Sequence, residues 1–495
     1  TTRRHPDATP TAPGRVRRAG VSAFGFGGTN YHAVLAGYAG ADEPRHGLEE
    51  WPAELFCFRG EDRRAAGRAM ARLAARLEEN DAAGRPWTLR DLAAEAASSG
   101  TGPVRVAVVA ADADELAARL ERARAFTPGA GVHVREEAAD PGLVAFLFPG
   151  QGSQRPGMLG ELFTAFPALR GLLDDAPGAV VSAMFPPAAF DGEGRAAQRA
   201  AVTDTRVAQP ALGLAGAAAH RLLGRLGVRP DCVAGHSYGE LTALWAAGVY
   251  DTPGLLRLST RRAGAILAAA GADPGSMAAV SAAPREVREI AERAGCVVAN
   301  HNAPRQCVIS GPTEAVSAVV DALREAGLTA EPIPVACAFH SGVVAGAAGA
   351  LAEELAGTEM ADACVPVWSN TTAGAYPASA DAVRGLLARQ VAEPVRFVEQ
   401  VEAMYAAGVR TFVEAGPGRV LSGLVGRILQ DRPHTAVPLD VPGEHGLVRL
   451  VGALAELAAA GVPLEPEALF RGRTRRLPER APGRPGWLVD GQLVR

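Results

Sequence analysis

Gly235-His236-Ser237-Tyr238-Gly239 is a G-x-S-x-G pattern whose central serine is a candidate nucleophile. A serine hydroxyl at its ordinary pKa attacks poorly. Ser237 therefore needs a base, donors for an oxyanion and a mount that exposes Oγ. Val228 to Ala234 has the composition of a buried strand and Glu240 to Val249 that of a helix, which predicts a strand-to-helix turn at the serine. Flanking glycines let such a turn close, and the first amides of the helix favour developing negative charge. In a chain with 57 glycines, a chance match is the competing reading. The candidate base is His340 in Cys337-Ala338-Phe339-His340-Ser341, at a strand-to-loop transition, although a lone histidine can equally be structural. No lysine occurs anywhere in the sequence, which removes that side chain as a catalytic option.

The elements that must position these residues follow from the pattern around them. Leu143 to Phe148 reads as a buried strand running into Pro149-Gly150-Gln151-Gly152-Ser153-Gln154, where a glycine-flanked glutamine can present amides to a neighbouring site. Thr203 to Gly213 leads into a helix ending near Leu226, and Leu255 to Ala270 reads as another helix. Within the latter, Arg261 and Arg262 read from composition alone as solvent-facing. From Asp273 to Ala336 short strands and helices alternate in the order βαββαβ, which predicts a ferredoxin-like insertion. Before Pro141-Gly142, residues 40–140 read as a small α/β module: strands Glu54 to Arg59 and Val104 to Ala110, helices Glu61 to Asn80 and Asp114 to Phe126.

At 495 residues the chain exceeds one ordinary core, so two to four domains are expected. A net charge of -4 gives no electrostatic case for nucleic acid or a membrane surface as partner. Six cysteines form no C-x-x-C pair and read as buried free thiols, which points to a reducing, cytoplasmic setting. Thr1 to Arg18 is polar and proline-bearing, unlike a signal peptide, and no apolar run reaches membrane-spanning length. Without an initiator Met, the chain reads as a segment of something larger, and Arg15-Val16-Arg17-Arg18 as a solvated charged face.

Two sets of motifs carry a family resemblance. Gly20 to Leu35 (GVSAFGFGGTNYHAVL) resembles the closing motif of ketosynthase domains, without that domain's catalytic cysteine and histidine motifs. FPGQGSQ at 148–154, AQPAL at 208–212, GHSYGE at 235–240, QCVISGP at 306–312, AFHS at 338–341 and EAGPGRVLSGL at 414–424 resemble, in order, a malonyl-type acyltransferase domain of a polyketide synthase. The resemblance implies an α/β-hydrolase-like large subdomain (141–272 and 337–436) with an inserted ferredoxin-like small subdomain (273–336). A ketosynthase tail (1–39) and an α/β linker domain (40–140) would precede it, and a post-acyltransferase linker (437–495) would follow, with Leu477-Pro478-Glu479-Arg480 in place of the usual aromatic closing motif.

The resemblance also implies roles. Ser237 and His340 form the catalytic dyad, the amides of Gln151 and Tyr238 hold the oxyanion, and the backbone carbonyl of Gln390 orients the histidine. Arg262 binds the free carboxylate of a malonyl group, in contrast to its solvent-facing reading, and Phe339, Gln209 and Asn302 line the substrate pocket. Malonyl-CoA is the implied substrate, no cofactor is bound by this segment, and the acceptor is phosphopantetheine on an acyl carrier protein. A ketosynthase domain of the same polypeptide is the other implied partner. Tyr238, following the nucleophile, resembles the iterative synthases that make enediyne cores; it could narrow the acyl pocket or pack against the small subdomain. Competing functions are a serine hydrolase or thioesterase, which would need an acid to orient His340, and a non-catalytic docking scaffold.

Overall fold

The computed structural model describes residues 18–23, 31–36, 46–135 and 140–481. Of the expected ketosynthase tail, a hairpin falls among them: β1 (Arg18–Ala23) pairs antiparallel with β2 (Tyr31–Ala36) and exposes Val21, Val34 and Leu35. The remainder of that tail, residues 15–17 of the arginine run and residues 482–495 lie outside the described residues.

The linker module is an antiparallel sheet of β3 (Glu54–Arg59), β4 (Val104–Ala110) and β5 (Val132–Val134), in that order. β3 and β4 are buried along almost their whole length, so both faces need a cover. Three helices contribute to it: α1 (Arg63–Ala82), α2 (Leu89–Ser98) and α3 (Ala113–Arg124). In α1 the buried Ala66, Ala69, Met70, Leu73 and Leu77 recur at helical spacing, and Asp62 caps its start by accepting from the amide of Ala65. The short α2 and β5 were not expected from the sequence, although Thr88 and Asp91 form a capping box ahead of α2 that could have marked it.

The larger half opens with β6 (Leu143–Phe148). Four short helices follow, α4 (Gly160–Ala165), α5 (Gly171–Asp174), α6 (Gly178–Met184) and α7 (Gly192–Thr203). Then come α8 (Thr205–Arg225), β7 (Cys232–Gly235), α9 (Gly239–Ala246) and α10 (Thr252–Ala270). The insertion has the expected order: β8 (Ser276–Val280), α11 (Pro284–Arg293), β9 (Val297–Ala303), β10 (Gln306–Gly311), α12 (Thr313–Glu325) and β11 (Ala330–Ile333). Its antiparallel sheet, in the order β11-β8-β10-β9, has a core of its own that includes Val280, Val287, Ile309 and Leu323.

The chain returns through α13 (Ala347–Ala356), β12 (Val367–Ser369), β13 (Gly374–Ala375), α14 (Ala380–Arg389) and α15 (Phe397–Ala406). β14 (Val409–Pro417), α16 (Val420–Ile428), β15 (Thr435–Asp440) and α17 (Gly446–Ala460) complete it. The main sheet runs β13-β12-β7-β6-β14-β15, parallel throughout except for the β13 edge. Such a sheet presents its ligand crevice beyond the carboxyl ends of the strands, which is where β6 and β7 deliver Gln151 and Ser237.

A boundary at 436/437 does not hold, because it cuts β15, which pairs with β14 as far as Asp440. Beyond it, α17 buries Leu450, Leu454 and Leu457 and packs against both β15 and the linker sheet, so one apolar cluster runs from Trp51 to Phe470. The fully buried Arg473 pairs with Glu54, its guanidinium 3.8 Å from the Trp51 ring centroid. Leu477-Pro478-Glu479-Arg480 folds back on α1, where Arg76 donates to the carbonyls of Pro478 and Glu479, both at 2.8 Å. All six cysteines are free thiols; five are buried as expected, but Cys364 is exposed. Among the described residues no helix is long and apolar enough to cross a membrane.

Candidate active site

The elbow between β7 and α9 is enforced by contact. A Cβ on Gly235 would lie 1.9 Å from the carbonyl carbon of Gly239, and one on Gly239 would lie 2.0 Å from the carbonyl oxygen of Phe148. Ser237 between them has a φ of 52°, a left-handed conformation that costs a non-glycine residue ~1–3 kcal/mol and persists only where surroundings hold it. The turn thrusts Oγ into a cavity of about 290 Å³ between the large and small subdomains.

His340, also left-handed with a φ of 57°, places Nε2 2.6 Å from Ser237 Oγ. Nδ1 lies 2.8 Å from the carbonyl oxygen of Glu393. A carbonyl can only accept, so Nδ1 carries the hydrogen and the lone pair on Nε2 faces the serine hydroxyl. The orienting carbonyl was expected from Gln390. That expectation is corrected: Gln390 caps the end of α14, the backbone turns there, and the carbonyl aimed at the ring belongs to Glu393, with the Gln390 carbonyl a weaker influence.

Burial pushes the His340 pKa down to about 3, helped by the positive charge of Arg262. The ring is therefore expected to stay neutral, and able to take a proton, from pH 8 down to pH 5. Nitrogen-15 NMR, with the signal assigned by its loss in His340→Asn, checks this. An imidazolium forming near the ordinary value of about 6.5 would contradict the burial argument.

Around the dyad, the sequence-based candidates divide. Gln151 and Tyr238 line the cavity, and neither backbone amide is engaged by a backbone carbonyl among the described residues. The Gln151 loop is tied down by Arg155, which pairs with the buried Asp440 at 2.8 Å. The Tyr238 side chain turns away from the small subdomain: its hydroxyl meets Ser259 Oγ at 2.7 Å and sits where a Cβ on Gly213 would fall, between α8 and α10. Gln209 is completely buried behind the cavity wall, reaching Gln151 Oε1 at 3.4 Å, so it supports that loop and does not line the pocket.

Arg262 is 2% exposed and faces the cavity, contrary to its solvent-facing reading from composition. Burial draws its pKa down to about 10, against the pull of the neighbouring Tyr238 and Glu240, so it remains cationic at neutral pH. No carboxylate among the described residues lies within ion-pair range of it, and its Nε has no hydrogen-bond acceptor. Its nearest polar partner is the side chain of Gln390, 3.3 Å from Nη2. Phe339 and Asn302 complete the wall. Asn302 accepts from His236 Nε2 at 2.8 Å, pinning the elbow to β9 of the small subdomain.

Sequence reasoning missed His236, Glu240 and Asn370, although two of them stand inside the GHSYGE motif. All three are fully or mostly buried, and the partners that explain their burial lie far away in sequence, so the motif gives no sign of their role.

This arrangement can carry acyl transfer through a serine ester, and comparison with known proteins agrees. Residues 145–462 match the family model described as the acyl transferase domain. The chain is 34% identical over 492 residues to polyketide synthase GfsA of Streptomyces halstedii, covering 94% of this chain but 6% of that protein. It is 38% identical over 292 residues to the malonyl CoA-acyl carrier protein transacylase of Bacillus subtilis, covering 58% of this chain and 90% of that enzyme. Among solved structures, the acyltransferase domain of the iterative polyketide synthase in enediyne biosynthesis superposes with a TM-score of 0.63 at 30% identity, covering 83% of this chain and 97% of that one. With a nucleophile elbow, a histidine beside it and this match over most of its length, the chain belongs to the acyltransferase family.

Proposed function

We propose that the chain takes a malonyl group from malonyl-CoA as an ester on Ser237 and passes it to the phosphopantetheine thiol of an acyl carrier protein during polyketide assembly. Ser237 Oγ attacks the thioester carbonyl while its proton moves to His340 Nε2. The oxyanion is held by the amides of Gln151 and Tyr238, each such donor being worth ~10²–10³ in rate. The imidazolium then protonates the departing coenzyme A thiolate. In the second half, neutral His340 takes the proton of the carrier thiol, the thiolate attacks the ester, and Ser237 is restored. A ketosynthase domain in the same polypeptide would consume the loaded carrier, and six free thiols fit a reducing cytoplasm.

The observation that carries this reading is the buried Arg262, without a carboxylate partner among the described residues, opening on the same cavity as Ser237 and His340. An arginine fork is suited to bidentate capture of the free carboxylate of malonate. The hydrolase reading loses support because a backbone carbonyl, and no acid, faces Nδ1 of His340. Malonyl-CoA added to the protein is expected to give an intact-mass increase of one malonyl group on Ser237, which disappears on addition of a phosphopantetheinylated carrier protein as that carrier gains it. Release of free malonate at the same rate without the carrier would favour hydrolysis.

Selectivity for malonyl over methylmalonyl is proposed to rest on Phe339. It is 9% exposed, packs with Met277 and Val308, and stands next to His340 on the cavity wall, in the space a 2-methyl branch would need. One methyl group in an apolar pocket is worth ~1–3 kcal/mol, or roughly 10–200-fold in kcat/KM. Phe339→Ser is expected to relax the preference within that range, read from the masses on Ser237 when the two thioesters compete. Preferred methylmalonyl loading by the unaltered chain would remove Phe339 from this role.

A further inference from the structure

Both peptide groups of the left-handed Ser237 are held by side-chain amides. Asn370 Oδ1 accepts from the Ser237 N–H at 2.6 Å, and Gln390 Nε2 donates to the Ser237 carbonyl at 2.8 Å. Asn370 and Gln390 are 0% and 1% exposed. Both are anchored on one buried carboxylate: Glu240 Oε1 accepts the Asn370 backbone N–H at 2.7 Å and lies 3.5 Å from Gln390 Nε2, while Oε2 accepts from the Tyr376 hydroxyl. Asn370 Nδ2 donates further to the Gly235 carbonyl at 2.8 Å and to Gln400 Oε1 at 2.7 Å. The conformation that exposes Oγ is thus fixed by a polar network in which nearly every group is satisfied, an arrangement that rigidifies.

The two amides differ at their far ends. Asn370 reaches only the elbow and its scaffold. Gln390 reaches across to the anion site, where its Oε1 accepts from Arg262 Nη2. Its amide group is planar and rigid, so oxygen and nitrogen cannot move independently. A carboxylate arriving at Arg262 competes for the guanidinium hydrogens, and any re-aiming of the fork carries Gln390 Oε1 with it. Nε2, at the other end of the same plane, then shifts against the Ser237 carbonyl.

We propose that Gln390 is a positioning residue that couples occupancy of Arg262 by the acyl carboxylate to the placement of Ser237. The inference rests on the proposed reading of Arg262 as the carboxylate site. A dicarboxylic acyl thioester engages the relay, whereas a neutral acyl thioester enters the same cavity and leaves it idle. Discrimination then acts on the chemical step as well as on binding.

The test is rapid-quench loading of malonyl-CoA and acetyl-CoA on the full chain, with kcat and KM separated. Asn370→Leu removes one clamp without touching Arg262 and is expected to lower kcat for both thioesters by the same factor. Gln390→Met is expected to lower kcat for malonyl ~5–150-fold more than for acetyl, the range of typical coupling between sites. Both thioesters are read on one preparation, so any loss of folded protein cancels from the ratio. Gln390→Asn, which keeps an amide too short to span both partners, is the second variant, with the same expected ratio. In the Arg262→Ala background, Gln390→Met should slow both thioesters equally. An equal fall in kcat for both thioesters in the otherwise wild-type chain overturns the coupling, as does an effect confined to the malonyl KM. If the unaltered chain loads no malonyl on Ser237, the proposed function fails with it; if it loads normally and the ratios do not move, only the coupling fails.

Discussion

Ser237→Ala is expected to take up no acyl group from malonyl-CoA, while His340→Ala should still load, but slower by the ~10²–10⁴-fold that a positioned general base contributes. The difference follows from the geometry. Without Oγ nothing occupies the elbow that can form an ester, whereas without the imidazole the hydroxyl remains in the cavity at the end of β7, with Gln151 and Tyr238 on the same wall, 2.6 Å from where Nε2 stood. Removing one member of such a pair does not erase the others' contribution, and residual rates well above background are usual. Intact-protein mass spectrometry reads both variants. Loading of Ser237→Ala at the wild-type stoichiometry would mean that the covalent step lies elsewhere and that the elbow is scaffolding.

Arg262→Ala is expected to invert the substrate preference more than it lowers activity overall. The guanidinium is buried, cationic and without a carboxylate partner among the described residues, so a malonyl carboxylate would recover a charge interaction that a neutral acyl group cannot. Truncating one side of a buried charge pair commonly costs about 2–5 kcal/mol, roughly 30- to 5,000-fold in kcat/KM for malonyl-CoA. Acetyl-CoA should be loaded at least as well as before, since its methyl group no longer meets a desolvated cation. Arg262→Lys should recover only part of the loss, because an ammonium cannot reproduce the planar fork. An unchanged malonyl to acetyl ratio in Arg262→Ala would assign the arginine to scaffold electrostatics.

How far the sequence discloses the site depends on which chemistry is local. Ser237 is legible because a nucleophile elbow has steric requirements that appear as glycines at fixed offsets, and Gly235 and Gly239 prove to be in contact with opposing backbone. The inserted subdomain is legible because alternating periodicities mark its βαββαβ order. Arg262 reads as surface from its neighbours, since the helix around it is amphipathic only weakly and its burial depends on groups distant in sequence, such as Gln390 at the end of α14; that it lines the cavity was suggested by the family resemblance and not by periodicity. The carbonyl facing His340 shifted from Gln390 to Glu393 because the end of a helix sets carbonyl directions through a turn that no motif spells out. Tyr238 was left between two environments, and the deciding partner, Ser259, stands 21 residues away on another helix. Asn370 and Glu240 act through tertiary hydrogen bonds 130 residues or more apart in sequence, which no local pattern can announce.

The interlocking of α17, Arg473 and residues 477–480 with the linker sheet bears on how such a catalytic unit can be moved between proteins. A transplant trimmed to 141–436 would divide β15 and take away both α17 and the linker sheet, exposing the part of the shared apolar cluster that stays behind, Leu159, Leu162 and Phe166 among it. The portable module is therefore the linker, the catalytic halves and residues 437–481 together, and a graft should keep intact the chain from Gly47, whose amide donates to the Ala165 carbonyl, to Ala481, whose amide donates to Glu79. Within that envelope the small subdomain, which carries a hydrophobic core of its own, is the piece best suited to exchange by itself.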